Sequence, residues 1–302
     1  MSAMCGIVGL FLKDQKLEGE LGAMLASMLC TMTGRGPDSA GFAVYGAGAP
    51  GQVKLSLRAA KGYDFPALAQ GLSVPADGVP ALSIRGTHAV IEVPAAREAQ
   101  VRAFLAARHP EVAVVGSGTR MEIFKEVGLP SAVAEAFALP SMRGTHGIGH
   151  TRMATESAVT TAGAHPFSTG TDQCLVHNGS LSNHNGLRRS LAYQGMTFET
   201  ENDSEVAAGY LTWRMKQGAS LGDALEAGLK DLDGFFTFVV GTESGFGVLR
   251  DPIACKPAVM AETDQYVAFG SEYRALIGLP GIDTARVFEP EPATVYFWER
   301  AQ

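Results

Sequence analysis

Cys5 lies almost at the start of the chain, directly before the apolar, strand-like run 6–11. The thiolate of a cysteine is a nucleophile, and an α-amine with a pKa near roughly 7.7–8.0 can take up the thiol proton at neutral pH. A cysteine that is the first residue carries both groups. Residues 1–4 precede Cys5, so this chemistry requires their removal, as a propeptide or because translation starts at Met4. A small buried residue in a first strand is the alternative interpretation of Cys5.

Polar clusters at three other places could complete such a site. Arg152 is at the end of a predicted strand, and its planar guanidinium group can form paired hydrogen bonds with a carboxylate. Thr155 adds a nearby hydroxyl. The Asn178 amide and the Gly179 backbone N–H are two donors of the kind that an oxyanion needs. Asp203, at a predicted helix start, could bind an ammonium group. Together these groups could hold an amino acid while a thiol attacks its side-chain carbonyl.

Each cluster also has a purely structural interpretation. Arg152 could form a surface salt bridge, Asn178-Gly179 could be a turn, and residues 202–205 could be a capping box. The sequence Gly116-Ser117-Gly118-Thr119, after a predicted strand, could cradle a phosphate, although the GxGxxG pattern is incomplete and no lysine follows.

Composition excludes several classes of protein. The net charge of −7 and the absence of a Lys/Arg-rich run argue against nucleic acid as a main partner. No apolar stretch approaches the roughly 18–20 residues that span a bilayer, and the N-terminus lacks the pattern of a secretory signal. The four cysteines are far apart without a CxxC pair, which indicates neither disulfides nor zinc. We therefore expect a cytoplasmic protein without a metal or a membrane segment.

The elements that must position these groups form an α+β pattern. Strand clusters separated by paired helices predict two antiparallel sheets with helices on the outside. A strand–helix–strand package predicts an inserted α/β subregion at about 50–140. Its predicted elements are a strand over 82–93, a helix over 95–107, a strand over 111–115 and a short helix from Met121.

Nine motifs, in order along the chain, resemble those of class II glutamine amidotransferases. They are Cys5-Gly6-Ile7-Val8-Gly9, Arg35-Gly36-Pro37-Asp38-Ser39-Ala40-Gly41, His150-Thr151-Arg152, His165-Pro166-Phe167, His177-Asn178-Gly179, Asp203-Ser204-Glu205, Asp233-Gly234-Phe235, Arg250-Asp251-Pro252 and Gly270-Ser271-Glu272. One departure is Met153, which follows the motif arginine where many members carry an aromatic residue. The resemblance covers nearly all of residues 5–302 outside the insertion. It implies the N-terminal-nucleophile (Ntn) hydrolase fold, a four-layer αββα sandwich.

The resemblance also implies a role for each candidate residue. The implied roles are Cys5 as nucleophile and α-amino base, Asn178 and Gly179 as oxyanion hole, Arg152 and Thr155 as ligands of the glutamine α-carboxylate, Asp203 as ligand of its α-amine, and Arg35 as a supporting group near the nucleophile.

The chain length, the insertion and the sequence of residues 150–157 are similar to the separate amidotransferase subunits of split glutamate synthases and of N-methylglutamate synthase. This implies glutamine or glutamate as ligand and an acceptor bound to another polypeptide. The implied partners are two synthase subunits, one with a GXGXG domain and one that binds FMN. FMN and an iron–sulfur cluster are then expected on these partners, with no cofactor on this chain. The alternatives are an active glutaminase of a split glutamate synthase and a catalytically silent, structural or glutamate-binding subunit that keeps residues 1–4.

Overall fold

The computed structural model describes residues 5–73, 78–153 and 158–300. These residues form the strands β1 (Gly6–Leu12), β2 (Ser39–Tyr45), β3 (Gln52–Arg58), β4 (Ala81–Arg85), β5 (His88–Pro94), β6 (Ala113–Gly118), β7 (Met121–Val127), β8 (His146–Arg152), β9 (Phe167–Gly170), β10 (Gln173–Leu181), β11 (Gly234–Gly241), β12 (Gly245–Arg250), β13 (Val259–Glu262), β14 (Tyr266–Gly270), β15 (Arg286–Phe288) and β16 (Thr294–Glu299). The α-helices are α1 (Leu21–Thr31), α2 (Phe65–Gly71), α3 (Glu98–Arg108), α4 (Pro130–Ala136), α5 (His184–Tyr193), α6 (Asp203–Lys216) and α7 (Leu221–Asp231).

The strands form two large antiparallel sheets and one smaller one. The first sheet has the order β15-β13-β14-β1-β8-β2-β7 and the second has the order β16-β12-β11-β10-β9. An apolar core that includes Ile7, Val176 and Phe246 fills the space between these two sheets. Helices α1 and α4 pack on the outer face of the first sheet, and α5, α6 and α7 pack on the outer face of the second. The predicted sandwich of two antiparallel sheets between helices is therefore confirmed.

A third sheet, with the order β4-β5-β3-β6, spans residues 52–118 and has a core of its own with α2 and α3. The single strand predicted over 82–93 is two strands, β4 and β5, because Gly86 adopts a positive φ of 58° and reverses the chain. The sequence predicted an inserted subregion at about 50–140. In the structure, β7 and α4 follow the third sheet and belong to the first sheet and its helix layer.

The short helix predicted from Met121 is wrong, since these residues form β7. Met121 and Ile123 enter the core between the two large sheets, whereas Phe124 faces the outer core. This alternation is the period of a strand, and β7 pairs with β2 along its whole length.

The strand register places the sequence-predicted site at one end of the sandwich. Gly6 of β1 lies opposite Thr151 of β8, so Cys5 comes to the end of β8. Ser39, the first residue of β2, lies opposite Arg152. No helix in the described part of the chain is long and apolar enough to cross a membrane.

Candidate functional site

Two side chains hold the backbone of Cys5 from different directions. The Cys5 carbonyl oxygen accepts a hydrogen bond from Arg35 Nε at 3.0 Å and another from Asn178 Nδ2 at 3.1 Å. Arg35 lies after α1 and Asn178 lies in β10, so these bonds join both large sheets at the start of β1. The backbone of Cys5 is therefore held by groups from separate parts of the sandwich.

The turn over residues 34–38 brings Arg35 to this place. Its Nη1 forms an ion pair with Glu272 Oε1 at 2.7 Å, and the backbone N–H of Asp38 donates to the Arg152 carbonyl at 3.1 Å. A Cβ on Gly36 would lie 2.4 Å from the carbonyl carbon of Thr151, so only glycine permits this close approach to β8.

Burial and nearby positive charge act in opposite directions on the Cys5 thiol. Burial is the larger effect and raises the pKa of Cys5 above its ordinary value. A hydrogen bond from the Met153 backbone and the charges of Arg152, Lys256 and Arg35 lower the same pKa. Since Met153 acts through its backbone, this contact does not depend on an aromatic side chain at that position.

Arg152 is buried at the end of β8, with 8% of its surface exposed, so the interpretation as a surface salt bridge is wrong. Its Nη1 donates to the carbonyl of Gly163 at 3.3 Å. Thr155, the second predicted carboxylate ligand, lies outside the described residues.

Asn178 and Gly179 are strand residues, and the interpretation as a turn is wrong. They pair with Thr237 and Phe236 of β11. Gly179 has a φ of 148°, and a Cβ there would lie 1.9 Å from the carbonyl oxygen of Phe235. Any other residue would therefore displace β11 at the position next to Asn178.

A hydrogen bond connects Asp203 to the same strand, β10. Asp203 begins α6, and its Oδ2 accepts a hydrogen bond from the backbone N–H of Leu181, two residues after Gly179, at 2.9 Å. Asn202 caps the helix through Ser204 N at 2.8 Å. The predicted capping box is incomplete, because the Glu205 carboxylate instead accepts from the backbone N–H groups of residues 199 and 200 at 2.7 and 2.8 Å.

Three buried histidines support this region, although the sequence motifs that contain them suggested no role. Ser204 Oγ lies 2.9 Å from His165 Nε2 and 2.8 Å from His177 Nδ1. The ring of His150 stacks on that of His165 with centroids 4.0 Å apart. Burial lowers the pKa of His150 to about 3 and that of His177 to about 4, and it lowers the pKa of His165 strongly. The rings are therefore neutral at pH 7, and they pack as an uncharged support behind Asn178 and Asp203.

Arg35 and Asn178 thus donate hydrogen bonds to Cys5, and the charge of Arg152 acts on the Cys5 thiol. Gly179 follows Asn178 in β10. Asp203 joins them through β10, and no hydrogen bond between described residues links it directly to Cys5. Sequence reasoning missed the charge of Lys256, which lies in the loop after the Arg250-Asp251-Pro252 motif.

The glycine-rich sequence 116–119 does not provide a free anion site. The backbone N–H groups of Thr119, Arg120 and Met121 donate to the carboxylate of Asp172 at 2.6, 2.9 and 2.9 Å. The phosphate interpretation is therefore wrong, because a carboxylate of the chain itself takes these donors. Among the residues that the structure describes, no group of three or more His, Cys, Asp or Glu side chains could hold a metal ion.

Comparison with known proteins gives close relatives over the whole chain. A family model described as a glutamine amidotransferase domain matches residues 150–278. The glutamine amidotransferase-like protein GlxB of Rhizobium meliloti is 65% identical over 298 residues, which cover 98% of either chain. A putative glutamine amidotransferase of Methanothermobacter thermautotrophicus is 35% identical over 311 residues, which cover 98% of this chain and 100% of that protein.

Two solved structures share the fold. The glutamine phosphoribosylpyrophosphate amidotransferase of B. subtilis superposes with a TM-score of 0.62 at 19% identity, over 98% of this chain and 47% of that chain. A structure described as the allosteric regulatory enzyme of purine biosynthesis gives a TM-score of 0.64 at 19% identity, over the same shares of the two chains. This chain therefore spans about half the length of those two proteins.

Proposed function

This chain belongs to the glutamine amidotransferase family and has the αββα fold of the Ntn hydrolases; from that premise, we propose that Cys5 attacks the side-chain amide of glutamine. The observation that carries the proposal is the fixation of the Cys5 carbonyl by both Arg35 and Asn178. A nucleophile held in one orientation beside a preorganised donor loses little entropy when it reacts.

The proposed reaction has two steps. With residues 1–4 removed, the free α-amine of Cys5 accepts the thiol proton, and the thiolate attacks the amide carbon of glutamine. The second N–H of the Asn178 amide and the backbone N–H of Gly179 bind the resulting oxyanion. The C–N bond then breaks, the α-ammonium returns the proton to the leaving nitrogen, and ammonia and a thioester result. Water hydrolyses the thioester to glutamate and regenerates the thiol.

The charged groups around Cys5 suit a zwitterionic substrate. Arg152 would bind the α-carboxylate of glutamine, with Thr155 as a second ligand, and Asp203 would bind the α-amine. The buried, neutral histidines would keep Asp203 and Asn178 in place without adding charge.

Release of glutamate from glutamine, measured together with the intact mass of the protein, tests this proposal. We expect release only from molecules that begin at Cys5. Chain that retains residues 1–4 has an amide at the nitrogen of Cys5, which has no basic lone pair, and should be nearly inactive. Robust release from the longer form, or none from the shorter form, would contradict the mechanism.

We further propose that the chain acts as the amidotransferase subunit of a glutamate-synthase-type complex, and specifically of an N-methylglutamate synthase. That enzyme converts glutamate and methylamine to N-methylglutamate and ammonia. The support is the similarity of the sequence to such separate subunits. The partners would be two synthase subunits, one with a GXGXG domain and one that binds FMN, with an iron–sulfur cluster also on the partner side.

Affinity purification from the native cell tests the complex. We expect two co-purifying subunits, a flavin absorption spectrum, and formation of N-methylglutamate from glutamate and methylamine. Formation of glutamate from 2-oxoglutarate and glutamine instead would identify a split glutamate synthase. Full methylamine-dependent activity of a complex that carries Cys5→Ala would favour the silent, structural or glutamate-binding role.

A further inference from the structure

A cavity separate from the Cys5 site lies between the third sheet and the body of the sandwich. Strands β6 and β9 are edge strands of different sheets, and a bridge connects Ser117 of β6 with Thr171, the residue after β9. The remaining parts of these edges line a cavity of about 480 Å³. This volume is enough for a small metabolite, and neither Cys5 nor Arg152 is among the lining residues.

Three charged side chains in the cavity wall make no side-chain hydrogen bond or ion pair with the described residues. Arg58, at the end of β3, makes no hydrogen bond or ion pair there, and its Nε is buried and unsatisfied. The exposed side chains of Glu199, before α6, and of Lys216, the last residue of α6, also make none in the described part of the chain. Other charges of the wall are satisfied: Glu98, for example, binds Arg102 and Ser117 at 2.8 and 2.7 Å.

A buried donor without an acceptor costs free energy that a ligand can recover. Two of these charges are positive and one is negative. A ligand that complements all three carries a carboxylate, an ammonium group and a second carboxylate. This is the charge pattern of an acidic α-amino acid.

The surroundings of Glu199 favour an ammonium group at this place. The pKa of Glu199 is raised, first by partial burial and then by the negative charge of Glu205, while the positive charges of Lys125 and Arg102 lower it. A cationic group of a ligand would relieve this repulsion between like charges. The carboxylate of Glu205 itself is occupied by three donors from residues 199 and 200.

The floor of the cavity separates it from the Cys5 site. Lys125 is buried there and donates to the carbonyls of Ala162, Ala164 and Pro166 at 3.2, 2.8 and 3.3 Å. Its three N–H groups are therefore used to hold the segment 158–166. On its other side, this segment accepts a hydrogen bond from Arg152 at Gly163.

We propose that this cavity binds a free acidic α-amino acid, with one carboxylate on Arg58, the ammonium on Glu199 and the other carboxylate on Lys216. The site does not depend on glutamine hydrolysis at Cys5, so it can be tested on protein that is catalytically inactive.

Isothermal titration calorimetry of the full chain with L-glutamate tests the site in an Asp203→Asn background, which removes the proposed amine ligand of the Cys5 site. Glutarate lacks the ammonium group and L-norvaline lacks the second carboxylate. We expect binding of L-glutamate, with the other two compounds at least about tenfold weaker, as loss of one charged contact predicts.

Variants then locate the binding. Arg58→Leu should weaken L-glutamate binding by about tenfold or more. The matched control Arg108→Leu, on α3 but outside the cavity lining, should leave it unchanged. Should Arg58→Leu fail to fold, Glu199→Gln and Lys216→Met change exposed side chains and test the same prediction.

Three results would overturn the proposal: no binding of L-glutamate in the Asp203→Asn background, equal binding of glutarate, or unchanged affinity in both Glu199→Gln and Lys216→Met. Loss of glutaminase activity in Asp203→Asn with retained binding would separate this site from the proposed function.

Discussion

The side-chain amide of Asn178 donates a hydrogen bond to the backbone carbonyl of Cys5 at 3.1 Å. The bond connects β10 in the second sheet with the residue that precedes β1 in the first sheet. An amide NH₂ group has two donors, and only one of them is used within the described part of the chain. We propose that the second donor binds a developing oxyanion, so that one side chain would both position Cys5 and stabilise its reaction.

Asn178→Ala should therefore lower kcat for glutamine hydrolysis by about 10²–10³-fold, as expected for loss of an oxyanion donor, while KM changes little. Steady-state measurement of glutamate release gives both constants. The control is Asn185→Ala, an exposed asparagine on α5, which should behave as the wild type. A large rise in KM with unchanged kcat would show that Asn178 binds substrate rather than the transition state.

Gly179→Ala should destabilise the fold and abolish activity together. The φ of 148° is unfavourable for any residue with a Cβ, and the added carbon would lie 1.9 Å from the Phe235 carbonyl oxygen. We expect a loss of about 1–3 kcal/mol or more in the free energy of unfolding, from urea titration. Gly186→Ala is the matched control, since no atom lies within 4 Å of its added Cβ in α5. A stable, active Gly179→Ala protein would contradict the close packing of β10 against β11.

The parts of the site that follow strands in sequence were predictable. Arg152 and Asn178-Gly179 belong to motifs within or at the ends of strands, and the apolar run 6–11 placed Cys5 before a strand. Lys256 and Glu272 were not predictable as neighbours of this site. They belong to loops near the other end of the chain, and only the pairing of β1 with β14 and the packing of the sheets bring them close to Cys5 and Arg35.

The same distinction holds for the fold. Strand clusters and paired helices predicted the two large sheets, but β4 and β5 were predicted as one strand because their turn contains neither Asn-Gly nor Asp-Gly. Strand β7 was not predictable in this way, since both of its faces are largely buried and it lacks the regular polar positions that mark a half-exposed strand.

Lys256→Met should make Cys5 less reactive at a given pH. Removal of its positive charge takes away one of the effects that lower the pKa of the thiol, so less thiolate is present at a mildly alkaline pH. The rate of alkylation by iodoacetamide, followed by mass spectrometry of the Cys5 peptide, measures this change without interference from the other cysteines. Lys230→Met, in the last turn of α7, is the control. An unchanged pH profile of Cys5 alkylation in Lys256→Met would contradict the electrostatic effect.

Stability should fall as the pH decreases from about 6.5 to about 4. Burial lowers the pKa of His146 to about 3, and His150 and His177 are lowered to about 3 and about 4 from an ordinary value of 6.5. In this window the unfolded chain binds protons that the folded chain excludes, so protonation favours unfolding. Each such histidine adds about 1.4 kcal/mol per pH unit to the slope of the unfolding free energy against pH.

Urea unfolding between about pH 4.5 and about pH 7.5 measures this slope, and His146→Gln should reduce it by nearly one proton. Phe11→Leu is the matched control, because Phe11 lies 5.8 Å from the His146 ring between centroids and does not titrate. It should lower the free energy of unfolding at every pH and leave the slope unchanged. Equal slopes for His146→Gln and the wild type would mean that His146 is protonated in the folded chain. The structure argues for a neutral ring, because Nε2–H donates to the Thr242 carbonyl and Nδ1 accepts from Thr145.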